Sequence, residues 1–462
     1  TEQLKLKLND SKATRWGALV IVAFTMMAAY YVNDVVAPLK TMLETDLAWS
    51  STDFGFFTGG YSFLNVFFLM LIWGGLILDR FGIRFTGKLA TILMVGGTAL
   101  EYYAMTGLAG ADATLFGINE ILGYKTGVFV AFAGYSIFGV GAEVAGITVS
   151  KIIAKWFKGK ELATAMGVQV ALARIGSQAG YAVAIPLARA FGISTPVLLG
   201  LVLLLGGMIA FFIFAVMDKK LDKQMEAAAI AAGTEDEEEK FSFKDVKNIL
   251  VNPGFWLIAL LCVLFYSCVF PFQKFASELM IIKYGINENV AGTFAGLPAL
   301  GALILTPVFG GFIDKRGKSA SIMLLGSAML ICVHFIYAIP DINYWLVAIV
   351  LMIILGIAFS LVPSAMWPAV AKIFPVSQLG TAYALIFFIQ NIGLWGIPTL
   401  IGWVLDAYCI SGKKPDGTNM YDYTVPMCIF TGIACLSLIV ALLLKKADKK
   451  YGYKLEEPNI QK

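Results

Sequence analysis

Apolar stretches of about twenty residues, the length an α-helix needs to cross the hydrocarbon of a bilayer, recur from one end of the sequence to the other. They fall near residues 16–39, 53–78, 87–108, 126–150, 162–188, 193–217, 253–282, 288–313, 319–339, 342–370, 379–407 and 424–444. A water-soluble fold cannot hide twelve such segments, because almost every face of every helix would need a protein cover. Composition agrees: 59% of the 462 residues are hydrophobic and 14% charged, against roughly 45–50% and 25% in soluble domains. The expectation is an all-α membrane protein of twelve transmembrane helices.

Basic residues give the orientation, since Lys and Arg in short loops stay on the cytoplasmic side. The two termini and every second loop hold 27 of the 35 Lys and Arg, and the other loops hold 6. Both termini are therefore expected in the cytoplasm. A net charge of +4 spread over loops argues against a nucleic-acid partner. Lys5, Lys7, Lys12 and Arg15 ahead of an apolar run look like the start of a signal peptide, but the run from Trp16 is too long. It reads as an uncleaved first helix. The six cysteines, all at or after Cys262 and without a CxxC pair, read as small hydrophobes, with a bridge between Cys409 and Cys428 left open.

The longest polar break runs from Asp218 to Asn252, with a helix-prone alanine segment before the acidic run Glu235 to Glu239. It reads as a solvated linker, and it divides the chain into a cytoplasmic N-terminus (1–15), a six-helix bundle (16–217), a linker (218–252), a second six-helix bundle (253–444) and a cytoplasmic tail (445–462). An internal repeat supports the division. A shift of 235 residues lays Gly75, Asp79, Arg80 and Gly82 over Gly310, Asp314, Lys315 and Gly317, as expected of two bundles related by pseudo-two-fold symmetry. Glycine permits the tight turn, the Asp can accept from a helix N-terminus, and the Arg or Lys is left for an ion pair between the halves. We therefore expect Gly75, Asp79, Arg80, Gly82, Arg84, Asp314, Lys315 and Gly317 to form a cytoplasmic gate. Orientation alone would explain Arg80 and Arg84 but not the matched Asp. The phosphate-loop lookalikes at Gly82 to Leu89 and Gly311 to Ser319 have the wrong ending or spacing and follow no buried strand. With one histidine and no nucleophile arrangement, the sequence suggests no enzyme, metal or cofactor.

The Gly-x-x-x-Asp-Arg-x-Gly-x-Arg loop, its weaker copy and the six-plus-six layout resemble the major facilitator superfamily across the whole chain. Longer stretches are similar to its lysosomal dipeptide transporter branch. These are Tyr61-Ser-Phe-Leu-Asn65, Phe138-Gly-Val-Gly-Ala-Glu143, Trp156-Phe-Lys-Gly-Lys-Glu-Leu162, Ala173-Arg174-Ile-Gly-Ser177, Phe270-Pro-Phe272, and Leu379-Gly-Thr-Ala-Tyr383 followed by Ile389-Gln-Asn-Ile-Gly393. The resemblance implies facilitated movement of dipeptides or similar small zwitterions by a protein embedded in lipid, with Glu143 and Arg174 reading the charged ends. A monomer is expected. The acidic dileucine signal of the lysosomal relatives is not evident, and the sequon Asn9-Asp-Ser11 would face the cytoplasm. A bacterial inner membrane is thus favoured over a lysosomal one.

Glu143 and Arg174 stand out without the family as well, since a charge at the centre of a span costs on the order of 3 kcal/mol and needs a cavity or a partner. Both lie 15 or 16 positions from the turn at Lys158 and Gly159, roughly 23 Å at the helical rise. A carboxylate for an α-ammonium and a guanidinium fork for an α-carboxylate would suit a zwitterion. An ion pair pinning the two helices is the alternative. Asp34, Tyr61, Asn65, Trp367 and Gln390 are further candidate substrate contacts, with Asn391 beside Gln390. Lys274 and Glu278, four apart, are expected to pair with each other. Glu101 and His334 lie on helices that are peripheral in the family, so local hydrogen bonding is expected. If Glu143 held the ligand amine and paired with Arg174, its proton affinity would fall, which favours uniport. The competing readings are a proton-coupled organic-anion or nitrate-type carrier, with Arg174 as anchor and Glu143 as proton site, and a non-transporting sensor or scaffold.

Overall fold

The computed structural model describes residues 7–110, 113–157, 161–232 and 243–458. A 3-10 turn at Leu8–Asp10 leads into α1 (Lys12–Val35), and another at Ala37–Leu39 leads into the short α2 (Lys40–Asp46). There follow α3 (Ser51–Phe67), α4 (Met70–Thr106), α5 (Thr126–Trp156), α6 (Leu162–Phe191), α7 (Thr195–Ala232) and α8 (Phe243–Val251). The second part holds α9 (Pro253–Tyr284), α10 (Glu288–Ala295), α11 (Leu297–Arg316), α12 (Ser319–Ala338), α13 (Trp345–Ile373), α14 (Val376–Tyr408) and α15 (Thr424–Tyr451). Two antiparallel hairpins stand in loops: β1 (Glu120–Ile121) with β2 (Tyr124–Lys125), and β3 (Ile410–Lys413) with β4 (Asn419–Tyr421).

Among the described residues nine helical segments are long and apolar enough to cross a membrane, or ten if the bent pair α3 and α4 counts as one span. The difference from twelve falls in two places. The expected segment 53–78 breaks at Leu69, whose φ of 55° cannot propagate a helix, and the chain bends by 58° there. α4 then runs on through the expected loop to Thr106, interrupted at Gly82, where φ 74° and ψ 175° suit glycine alone. The other place is α6, which carries Gln169, Arg174, Ser177 and Gln178 along its middle and is not among the nine. The expected linker is partly helix, because α7 continues without a break to Ala232. Its acidic run lies outside the described residues, as does the turn at Lys158 and Gly159. All six cysteines are free, so Cys409 and Cys428 do not pair.

Helix ends follow local chemistry. Ser50 and Asp53 form a reciprocal capping box at the start of α3, with distances of 3.0 and 2.9 Å. Asn252 caps α9 from the Gly254 amide, Pro253 fills the first turn, and Gly285 at φ 61° ends the helix. Apolar exposure marks the lipid face: Val202, Ile209, Ile213 and Val216 on α7 and Leu436, Ile439 and Leu442 on α15 are all half exposed. By contrast, α9 is buried on every side from Phe265 to Phe275, save a half-buried Phe270, and acts as a central strut.

In the first part α1 packs on α6 and α7, and α5 on α3 and α4; in the second, α9 packs on α14 and α15, α11 on α13, and α12 on α15. The parts meet through α3 against α14 and α6 against α10 and α11. Small residues allow this approach. A Cβ at Gly55 would strike the Pro398 carbonyl, one at Gly402 the Ser51 carbonyl, and one at Gly292 the Tyr181 carbonyl. Both crossings lie near the face holding the α1–α3 and α9–α10 connections, here called the far face. The opposite face, holding Arg15, Asn252 and the segment Tyr453–Glu457, is the termini face.

Candidate functional site

Glu143 lies 13 residues before the end of α5 and Arg174 lies 12 residues after the start of α6, about 20 and 18 Å from the termini face by helical rise. The hydroxyl of Tyr61, a candidate substrate contact, donates to Glu143 Oε1 at 2.9 Å, so span-to-span bonding takes it up. The Arg174 guanidinium carbon lies 5.7 Å from the Tyr30 ring of α1 and 4.9 Å from the Phe359 ring of α13. Among the described residues neither forms an ion pair, with each other or with any other group. Both rings lie within cation–π range of the guanidinium, and no N–H of Arg174 is taken up by a hydrogen bond among the described residues, which leaves donors for a planar anion.

Asp34 is engaged rather than open. Its carboxylate accepts from Asn33 Nδ2 at 2.8 Å, from the Ser177 hydroxyl, and from Lys274 Nζ at 3.2 Å. Lys274 also donates to the Asn33 carbonyl at 2.6 Å, which receives the Tyr135 hydroxyl at 2.8 Å. This corrects the expected pairing of Lys274 with Glu278: each instead reaches across to the first half, because the four-residue spacing on α9 points both at α1 and α2. Asn65 is buried with no partner for either amide atom among the described residues. Trp367 Nε1 donates to the Tyr266 hydroxyl at 3.3 Å, and Gln390 Oε1 receives the Cys262 thiol at 3.6 Å. Asn391 bonds back to the Phe387 carbonyl at 2.9 Å. Glu101, expected to be locally hydrogen-bonded, is fully buried and neither of its oxygens has a partner among the described residues. His334 does bond locally, through Nε2 to the Cys268 carbonyl at 3.0 Å.

A second polar cluster, unread in the sequence, locks the far face. Lys40 Nζ lies 2.5 Å from Glu44 Oε1 and 2.5 Å from Glu278 Oε2, and these side chains are 1%, 5% and 1% exposed. The Tyr423 hydroxyl donates to Glu278, and Lys414 from the β3–β4 hairpin stands 3.7 Å from both carboxylates. Asp406 at the end of α14 accepts from the first amides of α3, Ser51 at 3.3 Å and Thr52 at 2.6 Å, a carboxylate set on a helix N-terminus. Arg189 pairs with Glu288 and Asn289 nearby. The signal available in sequence was Lys40 itself, a lone base in a loop expected to be poor in bases, four residues before Glu44.

Of the expected gate residues, Asp79, Arg80 and Arg84 are engaged within their own half. Asp79 meets Lys151 at 3.2 Å, and exposed Arg80 lies over Phe81 at 5.5 Å. Arg84 reaches Asp218 at 3.4 Å and Asp222, beside Lys155 and Trp156, which bond Asp218 at 2.7 and 2.9 Å. Gly75 and Gly310 have open space where a Cβ would stand. Lys315 is exposed and Asp314 half-buried. Gly317, at φ 71°, is packed against the backbone of Glu456 and Glu457. The second-half loop is thus strapped by the tail: the Lys318 and Ser319 amides donate to the Glu456 and Leu455 carbonyls at 3.1 and 3.0 Å. The bonds from Lys40 to Glu278, Asp34 to Lys274, Asp406 to α3 and Gln178 to the Thr293 carbonyl, and the contact of Arg174 with Phe359, join the halves at the far face or at the depth of Arg174.

The sequence matches the model of the Major Facilitator Superfamily over residues 19–397 and again over 275–457. The chain belongs to the Major Facilitator Superfamily. It is an integral, multi-pass membrane protein of a transporter family. The lysosomal dipeptide transporter MFSD1 of Homo sapiens is 29% identical over 454 residues, covering 95% of this chain and 88% of the relative. The MFSD1 of Gallus gallus is 33% identical over 287 residues, covering 59% and 62%. The fold is similar to that of the nucleoside transporter NupG (TM-score 0.68, 12% identity, 92% and 98% covered). It is equally similar to that of the peptide transporter POT (TM-score 0.67, 15% identity, 95% of each chain covered).

Proposed function

We propose that this protein is a secondary transporter that moves dipeptides or similar small zwitterions by alternating access, as a uniporter. The supporting observation is the arrangement of Glu143 and Arg174. They stand at matching depth on neighbouring helices, without an ion pair between them. A free guanidinium edge and a carboxylate held by one hydroxyl are complementary to a carboxylate and an ammonium on a short backbone. The names of the curated relatives point the same way. In this reading twelve spans cross the membrane, the termini face is cytoplasmic, and the sealed far face makes this the inward-facing arrangement. The proposed setting is a monomer in a bacterial inner membrane.

Opening the other way would separate the Lys40 cluster and bring the two loop motifs together, which keeps the gate role for Asp79, Arg80, Asp314 and Lys315 in the outward-facing state. Purified protein in liposomes, preloaded with a dipeptide, should exchange external labelled dipeptide with and without a pH gradient. Uptake of organic anions or nitrate driven by a pH gradient, with no dipeptide exchange, would support the anion-carrier reading instead. No flux of either solute would leave the sensor or scaffold.

A further inference from the structure

The halves bring different chemistry to the depth of Arg174. Both charges come from the first half. The second half supplies rings: Tyr266 and Phe270 on α9 stack at 5.4 Å, and Phe359 on α13 meets them edge-on at 6.2 and 5.3 Å. Trp367, about two turns along α13, lies 6.5 Å from Tyr266 and stacks on Phe387 of α14 at 4.9 Å. Two polar tips of this wall donate within it, Trp367 Nε1 to the Tyr266 hydroxyl and the Tyr383 hydroxyl to the Trp367 carbonyl.

Among the described residues, the second half's charges are placed elsewhere. Lys274 is held by Asp34, Glu278 by Lys40, and Asp406 by the start of α3. Asp314, Lys315, Arg316 and Lys372 sit at the ends of α11 and α13, at the termini face. The wall is also continuous with the anchor, since the Arg174 guanidinium lies directly over Phe359. A ligand carboxylate on the edge of that guanidinium is therefore delivered against the rings.

We propose that the second half reads the substrate side chain through this uncharged aromatic wall, so that the preferred substrates are short zwitterions with apolar or aromatic side chains. The inference rests on the transport reading above. An aromatic side chain gains offset or edge-on ring contacts. An acidic one would lose its hydration against ring faces of negative character, with no cation of the second half's described residues in contact with these rings to receive it. A basic one finds favourable ring faces but no carboxylate, and falls between.

The test is counterflow in proteoliposomes loaded with Ala-Ala, with Ala-Phe, Ala-Lys and Ala-Asp as external competitors of labelled Ala-Ala. Ala-Phe should half-inhibit at a concentration roughly tenfold below unlabelled Ala-Ala, and Ala-Asp at one roughly tenfold or more above. Phe270→Ala should shrink the ratio between Ala-Phe and Ala-Ala, and leave Ala-Asp as poor a competitor as before. If that variant does not reconstitute, the wild-type ranking decides. Equal competition by all four dipeptides, or strongest competition by Ala-Asp, overturns the aromatic wall while leaving dipeptide transport in place. Failure of Ala-Ala itself to exchange overturns the transport reading, and this inference with it.

Discussion

Opening the far face requires Lys40 to leave Glu278, so Glu278→Gln tests whether that buried cluster is the lock. Glu278 contributes one carboxylate to Lys40 at 2.5 Å and to Lys414 at 3.7 Å, and it accepts from Tyr423. Removing one partner of a buried pair costs about 3–5 kcal/mol, because the other charge is left without water or counter-charge. Lys40 keeps Glu44, so we take roughly half of that figure, about 2 kcal/mol. In the far-open state these groups meet water and the loss largely disappears. The equilibrium should therefore move towards the far-open state by roughly 30-fold, at 1.4 kcal/mol per decade. Ala295 on α10 is fully buried between the halves near this face. In a cysteine-free background, Ala295→Cys should react with a membrane-impermeant maleimide from outside at a rate that rises by roughly that factor when Glu278→Gln is added. An unchanged or slower rate would refute the assignment of the cluster as the lock.

Three further outcomes are expected. Arg174→Lys replaces a fork by a point charge, so dipeptide KM in counterflow should rise at least about tenfold with the maximal rate less affected; an unchanged KM would show that the fork does not touch the ligand. Gly55→Val puts side-chain atoms where the Pro398 carbonyl and Gly402 backbone stand, so the far face should fail to close and exchange should stop although the protein still reconstitutes. Glu101→Met removes a buried carboxyl that has no partner among the described residues and should stabilise the purified protein by about 1–2 kcal/mol, read as a higher melting temperature in detergent; a fall would mean that the carboxyl has a partner in the folded state.

Most of the helical architecture is legible because the bilayer imposes one length and one solvent on every segment. The exceptions have local causes. Nothing in Phe67-Phe68-Leu69 is a breaker residue, so the bend at Leu69 carries no sequence signal, whereas the kink at Gly82 does. Glu143 and Arg174 are readable because charges are rare in the spans. Lys40 is not, because it sits in a loop by hydropathy and becomes buried only when α2, α9 and the β3–β4 hairpin close over it. The same blindness to the other half produced the expected pairing of Lys274 with Glu278: helix spacing predicts neighbours on one surface, but both residues find stronger partners across the interface. Motif repetition located the two termini-face loops, yet spacing could not say that the second is strapped by the segment after α15.

Recognition of both ends of a zwitterion is tested most directly by blocking one end at a time. Counterflow of a labelled dipeptide should be competed by the free dipeptide, and roughly tenfold or more less well by either its N-acetylated or its C-amidated form. Glu143→Gln should erase the penalty for acetylation alone, and Arg174→Lys should reduce the penalty for amidation alone. Equal competition by free and blocked peptides in the unaltered protein would contradict the assignment of Glu143 and Arg174 as the two anchors.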